Sequence, residues 1–201
     1  MSHDKYDPYK EIFRENHGIL RASTAMRLGV PKHMIYKMAG LGHLVKEARG
    51  LYRLAESEPL GDPDLVQVSL LISKSVVFLV SALFFHNLTT QIPHQVYIAL
   101  PQGARERKIE YPPLRVFHLS RKTYLAGIEE HRIDGIKVRV YDREKTVTDC
   151  FKHRQKIGKE VALEALKDYM QQPGQDVRRL MEYARLNRVE KLIQPYVESL
   201  L

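Results

Sequence analysis

Two groups of residues in this 201-residue chain have types and spacing that could do chemistry. The first is Y-D-R-E-K-T-V-T-D-C, residues 141–150, which gathers Asp142, Glu144, Lys145 and Asp149 behind a β-branched run. Metal-dependent nucleases hold Mg²⁺ between carboxylates and use the lysine of a Glu-x-Lys pair to steady the attacking water. Here Glu144 and Lys145 are adjacent, so on a strand they would point to opposite faces. On a helix, Asp142, Lys145 and Asp149 share a face and make an N-cap and an i, i+4 ion pair. The second group lies in residues 32–39. Lys32 with Tyr36, and His33 with Lys37, fall at i, i+4, on the other side from Ile35 and Met38. A helix that buries one stripe and presents a cationic, hydrogen-bonding stripe opposite has the surface that enters a DNA major groove.

Little else points to catalysis. His86 and His94 are eight apart with no third ligand at useful spacing, so a buried, hydrogen-bonding His86 is the simpler reading. Cys150 shares an apolar helical face with Val147 and Phe151 and reads as core. No glycine-rich phosphate loop, serine–histidine elbow or metal cluster occurs. The sequence makes no positive case for an enzyme, a cofactor or a metal.

The elements that must position these residues fall into two modules. Residues 9–16 place Tyr9, Ile12 and Phe13 at helical spacing before Gly18. A short second helix fits residues 23–28, with N-cap hydroxyls from Ser23 and Thr24, and Gly29-Val30 turns the chain. Pro31 opens a third helix through residue 39, and Gly40 and Gly42 end it. Residues 43–48 and 51–54 then read as two strands joined at Arg49-Gly50. Three short helices followed by a hairpin is the order of a winged helix-turn-helix. Arg49 at the hairpin tip, flanked by Lys46 and Arg53, would reach phosphate or a narrow minor groove.

The stretch A-E-S-E-P-L-G-D-P-D, residues 55–64, packs two prolines, a glycine and four acids into ten positions and reads as a linker. Beyond it, residues 64–72 and 75–88 read as apolar helices, the second with Val76, Leu79, Val80, Leu83 and Phe84 at helical spacing. Strands are expected at 96–100, 114–119 and 136–141. Asp142 caps a helix, and two amphipathic helices finish the chain at 159–171 and 175–197. The expected fold is α+β, with a winged helix-turn-helix at 1–55, a linker at 56–64 and a mixed α/β domain at 65–201.

Charge follows the same division. The net charge is +8, with +5 on residues 1–55, −3 on 56–100, +7 on 101–159 and −1 on 160–201. A basic surplus of this kind favours an anionic partner. The most apolar run, residues 75–88, contains Ser81, His86 and Asn87 and falls short of the roughly 20 residues a membrane span needs. The opening residues are polar and alternate in charge, so no secretory signal is expected. One cysteine permits no disulfide framework. A cytoplasmic protein without membrane attachment is expected.

From Gly18 to Leu54 the string G-I-L-R-A-S-T-A-M-R-L-G-V-P-K-H-M-I-Y-K-M-A-G-L-G-H-L-V-K-E-A-R-G-L-Y-R-L resembles the N-terminal domain of AbiEi-type antitoxins. The A-R-G-L-Y-R hairpin is the most specific part. S-A-L-F-F-H-N-L-T at 81–89 is similar to the family's S-A-L-x-x-H-G-L-T, with Asn87 in place of the usual glycine. V-Y-I-A-L-P and Y-D-R-E-K-T-V-T-D-C also match family segments. The resemblance implies an autorepressor acting on operator inverted repeats. It also implies the antitoxin role in a type IV abortive-infection pair used in phage defence. The toxin would be a nucleotidyltransferase-like protein encoded alongside, countered without need of a stable complex.

The expected contacts with double-stranded DNA are Arg21, Ser23, Lys32, His33, Tyr36, Lys37, Lys46, Arg49 and Arg53, presented by a monomer or weak homodimer. A second basic patch comprises Arg105, Arg107 and Lys108 with Lys152, Arg154, Lys156 and Lys159. It would extend the DNA footprint or meet the toxin. Two rival readings are a winged-helix regulator without a toxin partner and a metal-dependent nucleic-acid-processing enzyme using the Asp142 region.

Overall fold

The computed structural model describes residues 5–201, which divide into two compact units. The first comprises residues up to Ser73 together with Arg107–Pro112 and Arg132–Lys137; the second comprises Lys74–Glu106, Pro113–His131 and Val138–Leu201. Residues 55–62 carry no helix or strand.

The first unit begins with helix α1 (Asp7–Arg14), with Pro8 in its first turn, where a missing N–H costs nothing. Strand β1 (Ile19–Arg21), α2 (Ala22–Arg27) and α3 (Lys32–Gly40) follow, then β2 (Leu44–Ala48) and β3 (Leu51–Leu54). The strands form an antiparallel sheet in the order β1-β3-β2, with Ile19 opposite Arg53 and Leu44 opposite Leu54. A bulge lies between Lys46 and Ala48, and Gly50 supplies the positive φ of +77° that the β2–β3 turn requires. Phe13, Ala25, Val30, Ile35, Met38, Leu44, Tyr52 and Leu54 make the core. Helix α4 (Pro63–Leu71) is capped by the Asp62 carboxylate, which accepts from the Leu65 N–H.

Three local expectations change here. Strand β1 has no signal in the sequence, because three residues are too few to show alternation. Arg21, in extended backbone, is the N-cap of α2, and no side chain caps it, so Ser23 and Thr24 lie inside the helix. Pro31 is the N-cap of α3, one position ahead of its first helical residue.

The second unit holds a five-stranded sheet, β6-β5-β4-β8-β7, formed by β4 (Val76–Val77), β5 (Val96–Pro101), β6 (Leu114–Leu119), β7 (Ile128–Ile133) and β8 (Ile136–Tyr141). The tip of the β7–β8 hairpin counts with the first unit. β4 pairs antiparallel with β5 and parallel with β8, and β5 pairs parallel with β6. The helices are α5 (Leu79–Phe85), α6 (Arg121–Leu125), α7 (Arg143–Lys152), α8 (Arg154–Ile157), α9 (Lys159–Gln171), α10 (Val177–Asn187) and α11 (Glu190–Leu200). Their core includes Phe78, Leu83, Tyr141, Val147, Cys150, Phe151, Leu166, Tyr169, Leu180 and Ile193.

The helix expected over residues 75–88 is replaced by a central strand, β4, and a short helix, α5, separated by Phe78, with Leu79 at the start of α5 at φ +45°. A strand with neighbours on both edges and both faces covered is apolar at every position, which periodicity cannot distinguish from a buried helix. The helix expected over 175–197 is broken by Arg188, whose backbone is left-handed (φ +59°, ψ +37°). Asn87 is also left-handed, at φ +55°. Asparagine tolerates that region better than other non-glycine residues, which accounts for its standing where the resembling segment has glycine.

His153, at the end of α7, is set edge-on between Phe117 (5.1 Å between ring centroids) and Phe78 (5.6 Å). Burial, with further opposition from Lys152, Lys156 and Lys145, pushes its imidazole from 6.5 down to about 4, although Asp149 pulls the other way. Between those values the unfolded chain binds the proton and the folded chain does not. Stability therefore falls as pH falls from 6.5 towards 4. Urea titrations across this window should show a shallower decline in His153→Gln than in the wild type; parallel declines would contradict the assignment.

Candidate nucleic-acid interface

Helix α3 separates its residues as its spacing requires. Ile35 and Met38 are buried in the first unit's core, whereas Lys32, His33, Tyr36 and Lys37 are exposed together. The Tyr36 ring stays 56% exposed and meets Tyr52 of β3 edge-on at 6.5 Å, so its hydroxyl end is carried on a fixed ring. On the β2–β3 hairpin, Lys46 and Arg49 are exposed. Arg53 differs: its Nε donates to the Glu47 carboxylate at 2.6 Å and its Nη1 donates to the carbonyls of Leu54 and Ser57. Its guanidinium fastens the hairpin base, whereas Lys46 and Arg49 are held by no carboxylate among the described residues. Ser23 is exposed on α2, and Arg21 at the start of that helix is half-buried.

One member of this surface is far away in sequence. Burial lowers the Arg21 pKa, and the neighbouring charge of Arg107 lowers it further. Arg107 and Lys108 belong to the 107–112 segment of the first unit, where Arg107 donates to the Leu71 carbonyl at 3.1 Å. With Arg49, Glu47, Leu71 and Tyr111 they line a cleft of about 310 Å³ at the hairpin tip. The second basic patch is divided between the two units. Arg107 and Lys108 fall in the first unit, and Arg105, Lys152, Arg154, Lys156 and Lys159 in the second. Of these, Arg154 is half-buried and donates to the Phe151 carbonyl at 2.9 Å. Lys156 lies over the Phe117 ring at 5.2 Å. Arg105, Lys152 and Lys159 are exposed.

The Asp142 region is built differently. Asp142 caps α7 by accepting from the Lys145 N–H at 2.7 Å, and its other oxygen accepts from Arg179 at 2.7 Å and Tyr183 at 2.9 Å. Burial raises this carboxyl above its ordinary value, and those three donors oppose the rise. Lys145 and Asp149 form a fully buried ion pair at 2.5 Å, and Asn187 donates to the other Asp149 oxygen at 2.7 Å. Tyr169 donates to Glu144 at 2.8 Å. Each carboxylate thus has protein partners, and among the described residues no three metal-ligating side chains converge. His86 is half-buried, and its Nε2 lies 2.7 Å from the Tyr141 carbonyl, where a neutral Nε2–H donates. Burial lowers its pKa. Burial also raises the Cys150 thiol well above its usual value, as suits a core residue.

Residues 7–55, which carry the helix and hairpin described above, match the family described as transcriptional regulator, AbiEi antitoxin. The likeness to the AbiEi antitoxin family is confined to these residues. No curated protein matches the chain. In fold, the chain is similar to the crystal structure of the RV2827C protein from Mycobacterium tuberculosis, with a TM-score of 0.61 at 13% identity over 89% of this chain and 70% of that one. At that identity the likeness is one of fold alone. The matched segment ends one residue after β3, so it contains the complete three-stranded sheet and all three helices before it. Among the described residues, no helix is long and apolar enough to cross a membrane.

Proposed function

We propose that the AbiEi module is a winged helix-turn-helix that binds double-stranded DNA, with α3 as recognition helix and the β2–β3 hairpin as wing. The order α1-β1-α2-α3-β2-β3, with an exposed cationic stripe on α3 and exposed cations on the hairpin, carries this reading. Lys32, His33, Tyr36 and Lys37 contact base edges and phosphates. Ser23 and Arg21 approach the backbone beside them. Lys46 and Arg49 anchor the wing, and Arg53 holds it in shape. The chain divides functionally into this module at 1–55, a linker at 56–64 and an antitoxin domain at 65–201.

The protein represses its own operon through promoter inverted repeats. It also serves as the antitoxin of a type IV pair against a nucleotidyltransferase-like toxin encoded beside it. The family description, which joins transcriptional regulation to an antitoxin role, supports both halves. Co-expression of the full chain with the adjacent nucleotidyltransferase-like reading frame tests the second half. Growth arrested by the toxin alone should be restored by the full chain; continued arrest at equal expression would contradict the antitoxin role.

A further inference from the structure

The basic surplus of the second unit includes a cleft that the DNA-binding reading does not use. It measures about 470 Å³, and Lys122 of α6, Lys152 of α7 and Arg185 and Arg188 at the end of α10 contribute cations to its walls. Among the described residues, no carboxylate lines it. Arg185 donates to Glu190 at 2.7 Å, but Lys122, Lys152 and Arg188 have no carboxylate partner among the described residues. Cations gathered without compensation repel one another, and an anion between them removes that repulsion. Lys152 registers the effect: burial lowers its pKa, and the charges of Lys145 and Arg188 lower it further against the pull of Asp149.

The neutral groups of the cleft suit an oxyanion. The hydroxyls of Ser120 and Thr123 share one hydrogen bond at 3.1 Å. Two hydroxyls joined by one bond leave one hydrogen free to donate. Asn187 is 3% exposed, and its Nδ2 donates to Thr148 and Asp149, which fixes the amide orientation. The amide thereby ties this wall of the cleft to α7.

We propose that this cleft is a phosphate-binding site, in which Lys122, Lys152 and Arg188 hold the charge and the Ser120–Thr123 pair donates to a phosphate oxygen. The phosphate is that of a small phosphorylated molecule or of a nucleic-acid strand, and the site does not depend on the AbiEi module's reading.

Calorimetric titration of the full chain with inorganic pyrophosphate at low salt, together with anisotropy of a short fluorescent single-stranded oligonucleotide, tests the proposal. Saturable pyrophosphate binding that weakens about tenfold or more in Lys152→Gln and in Arg188→Asn would establish the site. Arg188→Asn keeps a side chain that accepts the left-handed backbone, so a change in its affinity is not a folding defect. Arg178→Gln, at a cation of α10 outside the cleft, should leave pyrophosphate affinity unchanged. A small molecule as the source predicts tight pyrophosphate binding without strand binding. A strand as the source predicts oligonucleotide binding that pyrophosphate displaces and both cleft variants weaken. Binding of neither probe, or unchanged affinity in both cleft variants, overturns the proposal.

Discussion

Replacing Lys145 with methionine is expected to destabilise the second unit by about 3–5 kcal/mol, the cost of leaving a buried charge without its partner. The Lys145 and Asp149 side chains are both fully buried, one turn apart on α7. The Lys145 ammonium touches the Asp149 carboxylate and sits 4.6 Å from the centre of the Tyr141 ring. Without it, the carboxylate keeps only the Asn187 amide as a side-chain donor. Asp149→Asn produces the converse defect, an ammonium facing a ring and an amide. Urea unfolding of both single variants and of Lys145→Met/Asp149→Leu closes the cycle. The double variant should lose less than the two single losses combined, because no orphaned charge remains. A loss below about 1 kcal/mol in Lys145→Met would show that the pair is not buried as described.

Gly127→Ala is expected to cost about 2–4 kcal/mol, from a left-handed backbone and an overfilled space acting together. Gly127 has φ +74°. A methyl group there would lie 2.8 Å from the Asp142 carboxylate, 2.9 Å from Lys145 Cβ and 3.1 Å from the Tyr183 hydroxyl. None of these neighbours can give way easily. Asp142 is held by the Lys145 N–H, Arg179 and Tyr183, and its own N–H donates to the Gly127 carbonyl at 2.7 Å. The substitution would push the N-cap of α7 off its helix. Chemical denaturation should report the loss directly, and a change within about 0.5 kcal/mol of wild type would contradict the packing.

What the sequence reveals here depends on how local each feature is. The stripe of α3 follows from i, i+4 spacing within nine residues, and the A-R-G-L-Y-R turn from six adjacent ones. Asp142 reads as a cap and Lys145 with Asp149 as an ion pair for the same reason: three- and four-residue offsets on one helix settle them. The structure bears out the cap and the pair. Features set by distant chain segments are not legible. Arg107 comes near Arg21 across more than eighty residues. Strand β4 looks helical because its neighbours, β5 and β8, cover an apolar run that carries no period of its own. The break at Arg188 has no glycine or proline to announce it; Asn187, turned towards Thr148 and Asp149 of α7, occupies the last helical position before it. The cleft beside it draws on α6, a helix absent from the sequence reading.

The salt dependence of DNA binding tests the central claim most directly. Each cation that meets a phosphate releases counterions, so the full chain binding the DNA upstream of its own reading frame should lose affinity with a log–log slope of roughly −4 to −6. Lys37→Ala/Arg49→Ala should weaken binding and make the slope shallower by about two, one contact for each cation removed. A flat salt response, or a double variant whose affinity and slope match the wild type, would contradict DNA recognition by α3 and the wing.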